Sequence, residues 1–416
     1  MISIYFVCTC PPILCGIGSY LKSLLKEIPK NKWKAISFDL KNFQLSKGRL
    51  TSEKKENPKQ VWYGIANRRA PSAAEILEGI KKFAKKNGKY ILWFEHSFGM
   101  WKNSYNFGKM IQELSDLKIK KIISFHTIHF QSKETPRGME KKEYKLLKNI
   151  LPYVEAVTVF SRGACQAVRR AFPEYQKRIY ILRHGISHYP KIVKMSKKEA
   201  RKKLFNFLIK KTNLPKKKKI ELKKENSFFV SGTFIVGSVG FITPTKNIES
   251  LFSTRDSLQR IIPEKKVRAI HIGTIREKRK GFLNYHQKLQ KMRNGINKFY
   301  LDIWLPDEML PICQKAFDIN YYWPRKCTQS GITPQALGVG GIIAGRNMEG
   351  SGEILKEAGQ IIEEDSQKLL LRIKKIALNQ KLRGKMEKKA LKYVKQFSWR
   401  NQALKHYKLA ERVYSQ

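Results

Sequence analysis

Short runs of β-branched and aromatic residues alternate along this chain with stretches whose apolar positions recur every three or four residues. In the first half the runs ISIYFVC, KAISFDL, YILWFEH, KIISFH, EAVTVF and RIYILRH predict strands. In the second half FIVGSVGF, VRAIHIG, FYLDIW, FDINYYW and GIIAG repeat the rhythm. The segments between them, such as NIESLFSTRDSLQRI and PDEMLPICQKA, carry the helical period. Strands alternating with amphipathic helices build parallel sheets covered on both faces. The expected fold class is therefore α/β, with two doubly wound units, and the length of 416 residues agrees with two domains of ordinary size.

Composition narrows the class. No stretch approaches the roughly 18 unbroken apolar residues of a spanning helix. The opening MISIYFVCTCPP has neither a basic leader nor a small-residue cleavage site, so it reads as a first strand and the expected location is the cytoplasm. Six cysteines (Cys8, Cys10, Cys15, Cys165, Cys313 and Cys327) form no CxxC pair and no Cys/His spacing suited to zinc, which makes them structural thiols. Lysine and arginine number 84 against 33 acids, a formal charge of +51 that calls for an anionic partner. The charge peaks in KIVKMSKKEARKKLFNFLIKKTNLPKKKKIELKKEN, with fifteen basic residues to three acidic ones. This stretch, 191–230, is expected to be a basic linker between domains. Its middle puts Leu204, Phe207 and Leu208 on one helical face, which suits either docking on an anionic membrane, with Phe205 beside them, or packing on its own domain.

In open α/β sheets ligands bind outside the carboxyl ends of the strands, so the loops there hold the candidate chemistry. Gly16 and Gly18 follow the first strand and lead into a helix, where bare backbone can approach a phosphate, although residue 21 is Leu21 and the full dinucleotide fingerprint is absent. Glu95 and His96 end YILWFEH; His126 and His129 follow KIISF; His184 and Gly185 end the last strand of the first half. Clustered histidines at strand ends suggest a site. Lys246, after the glycine-containing loop of GSVGFITPTK, is placed to neutralise a diphosphate.

The order and spacing of these pieces resemble the retaining glycosyltransferases of family 4, which have the GT-B fold. The resemblance rests on GIGSYLKSLL, on FHT, on VTVFSRGACQAVRRAF leading to RIYILRHGI, and on GSVGFITPTKNIESL. It continues through IHIGTI, LPDEMLPICQKAFDINYYW and QSGITPQALGVGGIIAGRNMEGSGEIL to FSWRNQALKHY. It implies two Rossmann-like domains facing a central cleft: an acceptor-side domain at 1–190, a nucleotide-sugar domain at 231–395, and a last helix at 396–416 that crosses back to the first. It also implies a nucleoside diphosphate sugar, UDP- or GDP-linked, as donor substrate, with no separate cofactor and no metal. The absence of an Asp-x-Asp pair agrees with the metal-free reading.

By the same resemblance Lys246 is the phosphate-binding lysine, and Gly16 and Gly18 form the loop that approaches the donor. His126 lies near the transferring sugar, Glu353 is the acid of the glycine-rich stretch, and Ser330 and Gln335 belong to the donor site. Glu95, His96 and His184 fall on the acceptor side. Two departures stand out. Phe241 occupies the place of an arginine five residues before the lysine, and Cys327 and Gln335 occupy the places of two glutamates eight positions apart. Gln335 retains an amide oxygen that can accept from a ribose, whereas Cys327 cannot imitate a carboxylate.

The leading expectation is a metal-independent, retaining transferase acting on a lipid-linked or other glycan, peripheral on the inner face of an anionic membrane. Two alternatives stay open: glycosylation of a nucleic acid base, which the positive charge would suit, and a catalytically inactive GT-B binding subunit.

Overall fold

The computed structural model describes residues 2–46, 48–51, 55, 57, 59–83, 88–210, 216, 219–220, 223, 232–275, 280–292 and 297–416. The chain divides into two compact units, Met1–Gly185 with Trp399–Gln416, and Ile186–Ser398.

The first unit is built on a parallel sheet of seven strands: β1 (Ser3–Val7), β2 (Trp33–Phe38), β3 (Val61–Ile65), β4 (Tyr90–His96), β5 (Lys121–Phe125), β6 (Ala156–Val159) and β7 (Ile179–Ile181). Their spatial order is β3-β2-β1-β4-β5-β6-β7. The order reverses between β1 and β4, which is the switch point where such sheets open a crevice. Val7 stands opposite Phe94 there, and Glu95 opposite Ser124 on the next strand. Successive side chains point to opposite faces of a strand. Trp93 and Glu95 therefore share one face of β4, and Phe94 and His96 the other. The first face is covered by the helices Gly16–Leu25 and Trp399–Ser415, as the 4.9 Å approach of Trp93 to His406 shows. The second is covered by the helix Ser104–Asp116, whose Phe107 touches both Phe94 and His96.

The second unit repeats the plan with six parallel strands: β8 (Thr233–Val239), β9 (Lys266–Gly273), β10 (Lys298–Asp302), β11 (Ile319–Tyr322), β12 (Ile343–Arg346) and β13 (Ile361–Glu363), in the order β10-β9-β8-β11-β12-β13. Its switch point lies between β8 and β11. Two glycines permit the loop there. Gly240 has φ of 120°, a region that L side chains avoid, and a Cβ on Gly273 would sit 1.7 Å from the Gly240 carbonyl oxygen.

The stretch expected as a separate linker, 191–230, is corrected in its first half. Pro190–Val193 and Lys197–Lys210 are helices of the second unit. Leu204 and Leu208 are fully buried, with Phe205 and Phe207 packed against the same cluster around Phe299, Cys313 and Phe317. Arg201 seals the join with a buried ion pair to Asp318 at 2.6 Å. The apolar face offered for membrane docking is thus already covered by its own domain. Most of 211–231 lies outside the described residues. Among the described residues no helix is long and apolar enough to cross a membrane.

Candidate functional site

In the second unit the site grows from the loop after β8. Pro244–Lys246 forms a single tight turn, Asn247 takes a left-handed conformation, and the helix Glu249–Ile261 follows. Arg325, in the loop after β11, pins this turn. Its backbone N–H donates to Thr245 O at 2.8 Å, and its guanidinium donates to Pro244 O at 3.2 Å and to Glu249 Oε1 at 2.7 Å. Glu249 is held below its ordinary pKa despite its burial, because Tyr285 and Arg325 donate to it.

The turn presents Lys246 to a pocket lined by Ser238, Phe241, His271, Asn320, Tyr322 and Trp323, at the carboxyl ends of β8 and β11. The Lys246 ammonium lies 5.2 Å from the Tyr322 ring centroid and donates to the Tyr322 hydroxyl at 3.4 Å. That hydroxyl lies 2.8 Å from Cys327 Sγ, which donates to Gln329 O at 2.9 Å. One proton per bond fixes a direction: Lys246 to Tyr322, Tyr322 to Cys327, Cys327 to Gln329 O. Burial, and Cys327 next, push the Tyr322 pKa well up, so its hydroxyl stays protonated in this chain. No ion pair to a carboxylate is formed by Lys246 among the described residues. The chain therefore places an uncompensated cation at a sheet switch point, the arrangement that favours an anionic ligand.

Around this cation the walls are aromatic and amide. Phe241 lies tilted, with its ring centroid 6.0 Å from that of Trp304, which is 49% exposed. Gln335 lies on the helix Ile332–Gly338, whose Ile332, Thr333 and Ala336 line the pocket, and its buried Oε1 accepts no hydrogen bond among the described residues. Ser330 is buried beside Ile332. Glu353 is half-buried in the helix Glu349–Glu357 that follows β12, one strand beyond β11, and does not line the pocket. His271 donates or accepts at Ser238 Oγ (2.7 Å), and burial lowers its pKa to about 3, so it is neutral.

The first unit gathers different chemistry. Glu95 is fully buried, and its Oε2 lies 2.7 Å from His126 Nε2, while Oε1 has no partner among the described residues. Burial raises the Glu95 pKa and His126 opposes the rise. With the carboxylate as acceptor, His126 Nε2–H donates to Glu95 Oε2, which leaves Nδ1 as the open ring nitrogen. Tyr20 meets His126 edge-on at 5.0 Å and Phe160 lies tilted 4.8 Å from it, while His184 and Trp399 pack against Tyr20 at 5.1 Å. The Tyr20 hydroxyl reaches His406 Nε2 at 3.2 Å. Burial lowers His184 and His406 to about 4. His126 is therefore the histidine of this group that combines a carboxylate partner with an open nitrogen.

His96 stands apart from its neighbour Glu95. The pleat sends it to the opposite face, where it is enclosed by Phe98, Phe107 and Phe125 at 4.8 to 5.0 Å, with both ring nitrogens unpartnered among the described residues and a pKa of about 3 from burial. The expected acceptor-side role does not fit a side chain so enclosed. His129 is likewise structural: it bonds Glu143 at 2.7 Å, and Glu143 with Glu140 caps the helix Lys141–Ile150. Of the glycines, Gly18 is needed for close approach, since a Cβ would meet Thr9 O at 3.1 Å, whereas Gly16 opens onto free space. Tyr20, Tyr322 and Arg325 were not singled out by the sequence; each acts through a partner far along the chain.

No protein-family profile matches the chain, and no curated protein matches it. Solved structures do. A sucrose-phosphate synthase of Thermosynechococcus elongatus is similar with a TM-score of 0.69 at 15% identity, over 99% of each chain. A UDP-forming α,α-trehalose-phosphate synthase of Burkholderia xenovorans gives 0.68 at 12%, over 99% of each. HepE of Anabaena, solved with UDP and glucose, gives 0.65 at 12%, over 98% of this chain and 99% of that one. Likeness at this identity shows the fold: each unit is Rossmann-like, and the chain has the two-domain architecture called GT-B.

Proposed function

We propose that this chain is a metal-independent glycosyltransferase that moves a sugar, with retention, from a nucleoside diphosphate sugar to a lipid-linked or other glycan at an anionic membrane. The observation that carries the reading is the Lys246 ammonium at the switch point of the second sheet, without a carboxylate partner among the described residues. A diphosphate leaving group gathers negative charge as it departs, and a fixed cation there stabilises it more in the transition state than before. Of the neighbours named above, one is called UDP-forming, one was solved with UDP and glucose, and one is called a sucrose-phosphate synthase, which supports a nucleoside diphosphate sugar as donor here.

In the proposed reaction the bond from the anomeric carbon to the diphosphate oxygen breaks and its electron pair leaves with the diphosphate. The acceptor hydroxyl attacks from the same face and passes its proton to the departing oxygen. Lys246 binds the diphosphate, and Gln335, whose buried Oε1 is unsatisfied among the described residues and whose helix borders the pocket, is the proposed acceptor for a ribose hydroxyl. In the first unit Glu95 holds His126 so that Nδ1 accepts from a sugar hydroxyl. With no Asp-x-Asp pair in the sequence, charge neutralisation falls to Lys246.

Thermal-shift titration with UDP, GDP and ADP and their sugars, with and without EDTA, tests the reading. A ligand at 100 times its dissociation constant adds about 2.7 kcal/mol, so one nucleotide should raise the melting temperature by several degrees in EDTA as well as in magnesium. No shift with any nucleotide, or a shift seen only with magnesium, contradicts it.

A further inference from the structure

We propose that the first unit grips an anionic lipid bilayer through an apolar tip made by Leu45 and Tyr105. This deepens the membrane part of the function proposed above and rests on it. Leu45 is 74% exposed and Tyr105 71%, the two most exposed large apolar side chains among the described residues. Leu45 ends the short helix Leu40–Leu45 after β2, and Tyr105 stands in the first turn of Ser104–Asp116 after β4. Both therefore sit at the carboxyl end of the first sheet, on the edge where its ligands are expected.

Hydrogen bonds tie the two tips into one platform. Lys102 Nζ donates to Ser46 O at 3.3 Å, bridging the residue after Leu45 to the loop that leads to Tyr105. Arg68, after β3, donates to Ser46 O and Oγ at 3.0 and 2.8 Å and lies 4.2 Å over the ring of Phe43, a core residue. The Lys102 N–H donates to Arg68 O, and Asn106 Nδ2 to Arg69 O at 2.7 Å. Three loops thus hold the tips in place.

The rim is cationic. Lys41, Arg49, Arg69, Lys102 and Lys109 are exposed around the tips. Of the acids near the tips, Asp39 accepts from the Asn42 N–H, Glu75 from the Ala66 N–H and Ser72, and Glu113 pairs with Lys109, while Asp116 ends the helix far from Tyr105 in its first turn. A nucleic acid backbone would use these charges and give nothing for burying Leu45 and Tyr105. An anionic bilayer takes both, since its surface attracts the cations while its interface accepts the leucine and favours tyrosine. The helix Lys197–Lys210 offers no such face, having buried Leu204 and Leu208.

The full-length protein should be co-sedimented with vesicles of phosphatidylcholine alone and with phosphatidylglycerol added, at matched salt. Two variants accompany it, Leu45→Ser with Tyr105→Ser, and Arg69→Glu with Lys109→Glu, all at exposed positions. Melting curves and the nucleotide shift verify folding and donor binding separately from lipid binding. The proposal expects wild type to bind the anionic vesicles only, the serine pair to lose about tenfold or more, and the charge reversal to lose binding more steeply at low salt. Wild type that ignores phosphatidylglycerol, or a serine pair that sediments as wild type, overturns it. So does tight binding of structured RNA at physiological salt in a protein that leaves vesicles untouched, which would assign the cations to nucleic acid.

Discussion

The two units share a plan and differ in what they bring to the ends of their strands. At the second switch point the chain supplies a cation, Lys246, with Tyr322 beside it and Cys327 bonded in turn to the Tyr322 hydroxyl. At the first it supplies a carboxyl and imidazoles, Glu95, His126, His184 and His406, packed among Tyr20, Phe160 and Trp399. A cation suits an anion that must be held throughout. Buried neutral imidazoles beside a carboxylate suit hydroxyls, where the strength and direction of hydrogen bonds matter. Under the proposed function, this difference would reserve Lys246 for the diphosphate and leave the first unit's imidazoles to hydroxyls.

The comparison breaks most visibly at the Glu95–His126 pair. His126→Ala, or Glu95→Gln, which removes the charge that fixes the ring's tautomer, should lower kcat by roughly 10²-fold or more while leaving nucleoside diphosphate affinity unchanged. Steady-state kinetics beside calorimetric titration separates the two. Affinity falling in step with kcat would mean that the units do not divide the labour.

Acid should separate the units next. His96, His184 and His406 in the first unit have folded pKa values of about 3 to 4 from burial, against one such residue, His271, in the second. Between about 6.5, the unfolded value, and those folded values the unfolded chain binds more protons, so stability falls as pH falls, by about 1.4 kcal/mol per pH unit for each histidine. The raised pKa of Glu95 acts in the opposite direction, giving stability below its folded value that is lost as pH rises through it, and so offsets part of the loss. Calorimetry at pH 7 and pH 5 should show the first unit's transition moving down more than the second's; equal shifts would contradict the asymmetry.

A smaller effect distinguishes a structural histidine from a functional one. His96→Phe should stabilise the first unit by about 1 to 2 kcal/mol, because two unpartnered buried nitrogens give way to a ring among Phe98, Phe107 and Phe125. Turnover should not change. A destabilised variant would reveal a partner for that ring.

Much of this architecture was legible in the sequence because alternation of apolar runs with helical periods is a local signal. Two strands escaped it. β3, VWYGI, holds a glycine and is only partly buried, and β13, IIE, is three residues long. Lys246 was legible as a lysine after a glycine turn, and Glu95 and His126 as polar residues at strand ends. Their pairing was not, since it depends on which face of β4 each side chain takes and on the register that sets Glu95 opposite Ser124. The same parity separates Glu95 from His96. The burial of Leu208 was equally hidden: a basic amphipathic helix reads alike whether its apolar face meets lipid or, as here, the cluster around Phe299, Cys313 and Phe317.

Calorimetric titration of the preferred nucleoside diphosphate into wild type and Lys246→Ala, in EDTA, tests the central claim most directly. A charge-assisted contact to phosphate contributes about 1.5 to 3 kcal/mol, so the account predicts that the variant binds about 10- to 100-fold more weakly with its melting temperature in the absence of ligand unchanged. Equal affinity in the two proteins would remove Lys246 from the site and contradict the assignment of the diphosphate to the second unit.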